Sequence, residues 1–353
     1  MGKLKVAVIG LGSISRRHLE SYQNNPDVEL YALCDINEER LNEAGKKYGV
    51  ERLYTSCEEM VKLPELDAVS ICTWNSAHAP CAITALNAGK HVLCEKPMAN
   101  TLEDALKMQE AAEKNGKLLM IAFVRRFGND MKLIKDFQES GYFGDIYYAK
   151  AQYLRRNGNP MGWFGDKKRS GGGPLIDLGV HVIDFVRYAM GNPKPISVYA
   201  STYQKLFART NIKTPKGYVS ASATDNDVCD VEDLASAMVR FDNGATLHIE
   251  ASFSLNIEQD VGGIQLFGTK AGVTVDKKLK LITEANNYMA NLEIEADASN
   301  DFTLVFQNEI NHFVDCIQGK TDCISPTQDG IELMKILSAA YKSAETGHEV
   351  VIG

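Results

Sequence analysis

Apolar and polar positions follow two alternating rhythms along the first 125 residues. Short, largely apolar runs stand at Lys5 to Ile9, Val28 to Cys34, Ala68 to Thr73, His91 to Cys94 and Leu118 to Val124. Each reads as a strand buried on both faces. Between them lie segments with helical spacing: Ser13 to Asn25, Asn37 to Tyr48, Ala77 to Ala88 and Thr101 to Asn115. Their ends carry matching chemistry. Asn37 opens one as a cap, Thr101 with Asp104 three residues on opens another, and Gly89 and Gly116 stop two of them. Strands alternating with helices imply right-handed crossovers and a parallel sheet.

Beyond residue 125 the rhythm changes. A helix is expected over Asn129 to Glu139 and a long strand over Asp145 to Leu154. A Gly-rich loop, Ser170 to Pro174, leads into a helix from Leu175 to Met190. Strand-like runs follow at Ile196 to Tyr203, Leu234 to Phe241, Ala245 to Phe253, Gly263 to Phe267 and Gly272 to Val275. Asp242-Asn243-Gly244 between two of them signals a hairpin, and strands joined by tight turns predict an antiparallel sheet. Helices over Phe302 to Gln318 and Gln328 to Glu345 close the chain. The expected fold class is α/β, a doubly wound parallel sheet over residues 1–125. An α+β domain with an open, mostly antiparallel sheet is expected over 126–353, its last helix packing back on the first domain.

Composition narrows what such a chain can do. Its 353 residues suit two domains. With 38 Lys and Arg against 46 Asp and Glu, the net charge of −8 makes nucleic acid an unexpected partner. The longest wholly apolar stretch, Leu118 to Val124, is far short of the ~20 residues a spanning helix needs, so no membrane span is expected. The N-terminal run lacks a signal-peptide cleavage pattern, and Val6 stands where a myristoylation signal wants Ser or Thr. Eight cysteines, at 34, 57, 72, 81, 94, 229, 316 and 323, form no Cys-x-x-Cys and meet no His at zinc spacing. They read as buried thiols in a reducing compartment, so the expected location is the cytoplasm and no metal is expected.

Three motifs carry chemistry. Gly10-Leu11-Gly12-Ser13-Ile14-Ser15 follows the first strand and opens the first helix. It is the Rossmann G-x-G-x-x-G pattern with Ser15 in place of the third glycine: a tight turn, then a close backbone approach to a pyrophosphate at a helix N-terminus. Asp35, after the second strand, can accept both ribose hydroxyl hydrogens of NAD and would repel the 2′-phosphate of NADP. Arg16, Arg17 and Arg40 are close enough in sequence that NADP is not excluded. Glu95-Lys96-Pro97 stands beyond a strand's carboxyl end, where open parallel sheets bind ligands. An ammonium there can hydrogen-bond an alcohol or carbonyl oxygen and favour its alkoxide character, with Glu95 orienting it. The Lys96–Pro97 bond is a candidate cis bond. Asp177 and His181, four apart on the helix after the Gly-rich loop, share one face, and an imidazole suits a proton shuttle. Asp184 falls on a nearby face.

Taken together, in this order and at this spacing, the motifs resemble the Gfo/Idh/MocA oxidoreductases. The stretch Ala88 to Pro97, Thr73, Asn75 and His78 before it, and Arg125-Arg126-Phe127 after it strengthen the likeness, which covers essentially the whole chain. The resemblance implies an NAD(P)-dependent enzyme that oxidises or reduces a secondary alcohol of a sugar or cyclitol. It implies Lys96 as a catalytic and substrate-binding residue, with Asp177 and His181 binding substrate and shuttling the proton. It also implies a homodimer or homotetramer formed through the C-terminal sheet. An NAD-assisted glycoside hydrolase of the same fold and a non-catalytic cofactor-binding regulator are the alternatives.

The expected cofactor-binding set is Gly10, Gly12, Ser13, Ile14, Asp35, Thr73, Trp74, Asn75, His78, Glu95 and Lys96. The expected substrate-binding set adds Arg125, Arg155, Arg156 and Trp163 to Lys96, Asp177 and His181. An Arg can grip a polyol, carboxylate or phosphate, and Trp163 and Phe164 can stack on a sugar face. Lys167-Lys168-Arg169 reads as a solvated loop.

Overall fold

A computed structural model of the chain describes residues 2–206, 209, 212–213, 217–224, 226–276, 278–299 and 301–353. The chain opens with β1 (Leu4–Ile9), α1 (Ser15–Asn24), β2 (Val28–Cys34), α2 (Glu38–Tyr48), β3 (Leu53–Tyr54), α3 (Cys57–Met60), β4 (Ala68–Ile71), α4 (His78–Asn87), β5 (His91–Glu95), α5 (Leu102–Asn115) and β6 (Leu119–Ala122). Then come α6 (Asn129–Glu139), β7 (Ile146–Leu154), α7 (Lys167–Ser170) and α8 (Val180–Ala189). Strands β8 (Pro195–Tyr203), β9 (Leu234–Phe241), β10 (Thr246–Ser252), β11 (Val261–Gly268), β12 (Ala271–Val275), β13 (Leu279–Ala285) and β14 (Tyr288–Leu292) follow. The helices α9 (Phe302–Ile317) and α10 (Thr327–Thr346) and the short β15 (Val350–Val351) complete the order.

Two compact units result. The first comprises Met1–Val124 and Asp301–Ile331, the second Arg125–Asn300 and Glu332–Gly353. The expected division at 125/126 thus gains a second crossing, because the first unit takes back a C-terminal segment. The segment that joins it is α9 together with the first turn of the last helix, α10, whose Gly330 lies against Met98 and Ile121. Asp301 caps α9 by accepting from the amides of Thr303 and Leu304. The apolar stripe of α9 then needs cover, and Val305 and Phe306 find it against Val124 and Ile14.

In the first unit all six strands are parallel, in the order β3-β2-β1-β4-β5-β6. The central β1 and β4 are buried and mainly apolar from Val6 and Ala68 onward, as the sequence pattern predicts, with Ser70 of β4 the polar exception. Strand order reverses between β1 and β4, the place where such sheets bind ligands beyond their carboxyl ends. Asn37 and Thr101 cap their helices as expected. The Lys96–Pro97 bond is cis.

The second unit holds a nine-stranded sheet, ordered β14-β13-β12-β11-β7-β10-β9-β8-β15 among the described residues. Its pairs are antiparallel except β10 with β7. The Asp242-Asn243-Gly244 hairpin joins β9 to β10 as expected, with Gly244 at φ 84°. Strands β13, β14 and β15 go beyond the expected set. Asn286 and Asn287, at φ 50° and 64°, make the β13–β14 turn, since asparagine tolerates the left-handed region that a two-residue hairpin needs. Along β7, Ala149 and Ala151 are buried on one face, while Tyr148, Lys150 and Gln152 on the other are half-buried. That second face carries a row in register across five strands: Tyr199, Met238, His248, Lys150 and Gln265.

Candidate active site

The loop after β1 is built by backbone proximity. Gly10 sits at φ 85°, and a Cβ there would lie 2.8 Å from backbone atoms of Cys72 and Thr73, so only glycine fits. A Cβ on Gly12 would meet nothing within 4 Å. Space is therefore open above this residue, at the N-terminal end of α1, where a pyrophosphate needs close backbone approach. Ser15 fills the third-glycine position without conflict: it is buried, and its Oγ donates to the Gly12 carbonyl at 2.7 Å. Ser13 is exposed, while Ile14 packs its side chain on Val124, Val305 and Phe306.

Asp35 ties this loop to the end of β2. Its Oδ2 accepts the Leu11 amide at 2.6 Å and its Oδ1 the Asn37 amide at 2.8 Å, with Arg40 Nη1 3.4 Å from Oδ2. A carboxylate offers about four lone-pair sites, so capacity remains for ribose hydroxyls. The open cradle at Gly12 and the acceptor at Asp35 fit NAD.

Beyond β4, Thr73 and Trp74 are half-buried and Asn75 is buried. His78 was expected to reach the cofactor. Instead it is buried, with Nδ1 2.7 Å from the Pro97 carbonyl oxygen and Nε2 3.2 Å from that of Thr73. Burial pushes its imidazole below the ordinary value, so the neutral ring donates one of these bonds. His78 thus hydrogen-bonds one of the loops after β4 and β5 and lies within 3.2 Å of the other. Glu95 is buried, its Oε2 accepting the Lys96 amide at 3.2 Å, while Lys96 itself is half-buried.

In the second unit, Arg125 pairs with the buried Asp130 and lies 4.9 Å from the Phe185 ring centroid. Arg126 is buried and holds Asp184 through Nε and Nη2, so Asp184 of α8 anchors the helix in a buried ion pair.

Asp177 and His181 occur where the helix is irregular. Leu175–Gly179 form a π-helical turn that runs into α8. Such turns are rare and concentrate at functional sites. Leu175, Ile176, Leu178, Gly179 and Val180 are buried, whereas Asp177 and His181 are half-buried and reach the surface together.

Glu232 anchors the start of this turn. It is buried and accepts the Gly173 amide at 2.9 Å, the Leu175 amide at 3.2 Å and the Tyr341 hydroxyl at 2.9 Å. Burial pushes its carboxyl above the ordinary range, against hydrogen bonds that pull it down. Glycines are needed around it: a Cβ on Gly173 would lie 2.1 Å from the Glu232 carbonyl oxygen, and one on Gly172 2.1 Å from the Tyr341 hydroxyl. Glu232→Ala leaves three buried donors without their acceptor, at ~1 kcal/mol or more each. The expected result is a loss of about 3 kcal/mol in urea unfolding, measured at pH 7.

Arg155, Arg156 and Trp163 are engaged locally. Arg155 Nη1 donates to the Gly158 carbonyl at 3.2 Å, and exposed Arg156 donates to that of Glu258 at 3.0 Å. Trp163 stacks on Phe164 with centroids 3.9 Å apart. Lys167, Lys168 and Arg169 are exposed, as expected, but they form the short helix α7 capped by Asp166 rather than a loop.

The structure also groups residues that spacing along the chain did not announce. His312 and Cys316, one turn apart on α9, meet Cys323, their potential ligand atoms all within 4.8 Å. His312 Nε2 is 3.1 Å from the Ile324 amide that donates to it and 3.3 Å from Cys316 Sγ, so the imidazole fastens the loop after α9. Sequence reasoning also missed Glu232, whose role depends on β9's neighbour Asp233 region folding onto a loop 59 residues away. No local pattern marks it.

Comparison with known proteins places this geometry. A family model described as the Gfo/Idh/MocA oxidoreductase family, NAD-binding Rossmann fold, matches residues 4–123. A second, the C-terminal domain of that group, matches 131–274. A D-glucoside 3-dehydrogenase of Escherichia coli (strain K12) is 35% identical over 351 residues, covering 98% of this chain and 97% of its own. A myo-inositol 2-dehydrogenase of Thermotoga maritima is 30% identical over 273 residues, covering 77% of this chain and 75% of its own. The solved structure of a levoglucosan dehydrogenase in complex with NADH superposes with a TM-score of 0.85 at 25% identity, over 99% of each chain.

Proposed function

The chain belongs to the Gfo/Idh/MocA family of oxidoreductases, and on that premise we propose that it oxidises a ring secondary alcohol of a D-glucopyranoside. It is an NAD-dependent dehydrogenase of the class that acts on sugars and cyclitols. The narrower substrate rests on one observation: the 35% identity to a D-glucoside 3-dehydrogenase runs through both units. Bound NAD supplies the hydride acceptor.

The chain's own residues supply the rest. The loop Gly10 to Ser15 and Asp35 hold the dinucleotide, with Thr73, Trp74 and Asn75 at its nicotinamide end. Lys96 donates a hydrogen bond to the reacting hydroxyl oxygen and stabilises the negative charge that builds there. His181 accepts the hydroxyl proton, which suits an imidazole near neutral pH. Asp177 orients the sugar or His181. Arg125, Trp163 and the pair Arg155 and Arg156 bind sugar hydroxyls or ring faces, and those that are now engaged locally exchange partners to do so.

Assembly follows the open face of the nine-stranded sheet. Tyr199 and Met238 stand exposed in its register row, at 52% and 45%. A homodimer or homotetramer through this face would cover them, and a light-scattering mass of two or four chains checks it. The enzyme is expected to work in the cytoplasm, where its eight free cysteines would stay reduced.

The test of substrate is NADH formation at 340 nm with methyl β-D-glucopyranoside, levoglucosan and myo-inositol, each with NAD+ or NADP+. The glucoside with NAD+ is expected to give the highest kcat/KM. A higher value for myo-inositol would move the substrate to the cyclitols, and a preference for NADP+ would remove Asp35 from its role.

A further inference from the structure

Beneath Lys96 lies a run of buried polar side chains that the reaction itself does not use. Tyr22 and His18 come from α1, Ser70 from β4 and Glu95 from β5. All four are buried, His18 and Ser70 completely. Tyr22 Oη is 2.7 Å from Ser70 Oγ, Ser70 Oγ 3.2 Å from His18 Nδ1, and His18 Nε2 2.9 Å from Glu95 Oε1. The other carboxylate oxygen of Glu95 accepts the Lys96 amide.

With His18 as a neutral ring, these contacts run in one direction. A carboxylate only accepts, so His18 donates through Nε2–H. Its Nδ1 then needs a donor, which is the Ser70 hydroxyl, and Ser70 in turn accepts from Tyr22. Every hydrogen in the run has a place. We propose that His18, held by Ser70 and Tyr22, is a positioning residue that fixes Glu95 and, through it, the backbone of Lys96. This rests on the role given to Lys96 above.

The surroundings support it. His18 contacts Ser70 and Glu95, and Tyr22 and Glu95 in turn interact with Cys72 and, from α9, Glu309. Burial and the charge of Glu95 push the Glu309 carboxyl well above the ordinary range. The Phe306 ring lies 6.1 Å from the His18 ring and keeps water away. In such a dry, low-dielectric site a satisfied hydrogen-bond run is rigid, and a broken one is costly.

The experiment compares His18→Leu, His18→Gln and Ser70→Ala, with turnover on methyl β-D-glucopyranoside and NAD+, and NADH binding followed by fluorescence. For His18→Leu, kcat is expected to fall by about 10- to 100-fold, the range of supporting groups around a reactive centre. The KM for sugar and the Kd for NADH should stay within roughly threefold, since the binding contacts are intact. His18→Gln, whose amide can donate from nearly the same place, should recover most of the loss. In a Lys96→Met background His18→Leu should have no further effect, because residues acting as a unit are not additive. Unchanged kcat in His18→Leu, or full additivity with Lys96→Met, overturns the proposal. Full activity of Lys96→Met alone would instead overturn the function assigned to Lys96. Imidazole 15N NMR adds an arm that needs no substrate and holds even where His18→Leu does not fold. The Nε2–H tautomer is expected in the wild type and a mixture in Ser70→Ala; an Nδ1–H tautomer in the wild type overturns the assignment.

Discussion

Lys96→Met is expected to lower kcat by about a thousandfold while the Kd for NADH changes less than about twofold. As the hydride leaves a carbinol carbon, the attached oxygen gains negative charge unless a donor holds it. A single positioned donor at such an oxygen is worth about 10²–10³ in kcat, or ~3–4 kcal/mol. A positive charge acting in a site shielded from water adds to that. Methionine keeps most of the stem and removes the ammonium, so packing around the half-buried position survives. The dinucleotide loop lies on other strands, after β1 and β2, and is untouched. Steady-state kinetics with fluorescence titration of NADH checks both halves. Unchanged kcat would sink the catalytic role, and a large loss of NADH binding would make Lys96 a binding residue instead.

Glu309→Gln is expected to make the protein more resistant to unfolding as pH rises. Neither carboxyl oxygen of Glu309 has a hydrogen-bond partner among the described residues, and the side chain is fully buried. Its pKa in the folded protein is pushed well above the ordinary 4.5 by burial and by the nearby charge of Glu95. A group whose folded pKa is raised contributes its full stability below the unfolded value. That contribution is lost as pH rises towards the folded value. Wild-type stability should therefore fall by about 1.4 kcal/mol per pH unit from near pH 4.5 upward, until the folded pKa is reached. Glutamine does not titrate, so the difference between variant and wild type should grow with that slope. Any cost of burying the amide is the same at every pH and leaves the slope alone. Urea unfolding at pH 5.5, 6.5 and 7.5 reads it; a flat difference would mean that Glu309 does not stay protonated.

The elements proposed to hold the dinucleotide were legible because their chemistry is local. A βα turn written Gly-x-Gly, an acid at the end of the next strand and Glu95-Lys96-Pro97 beyond β5 are each contained in a few residues. So were the Asn37 and Thr101 caps and the Asp242-Asn243-Gly244 turn. The β13–β14 hairpin escaped although Asn286-Asn287 is a valid turn pair. Its β14 is an edge strand, and around the turn Glu284, Ala285, Tyr288 and Met289 are all exposed, so no apolar alternation runs through the hairpin even though Leu279 and Leu281 of β13 are buried. Asp177 and His181 were read on a regular helix; Asp177 lies in a π-helical turn, whose preceding glycine loop is held by Glu232 and Tyr341 from distant parts of the chain. The burial of His78 was hidden for a similar reason, because one ring neighbour, Pro97, belongs to another loop. Arg126 and Asp184, 58 residues apart, carry no sequence sign that they pair.

The first unit is interrupted between Val124 and Asp301, and this sets an order for its birth on the ribosome. The six parallel strands emerge early, but the helix that covers Ile14 and Val124 and brings Phe306 against His18 is among the last segments made. At roughly 5–20 residues per second, the nascent sheet waits on the order of ten seconds or more for it. During that interval an apolar patch at the start of α1 stays open to solvent and to any chaperone that recognises one. A chain released before residue 301 would carry a recognisable dinucleotide loop on a sheet that cannot close its core.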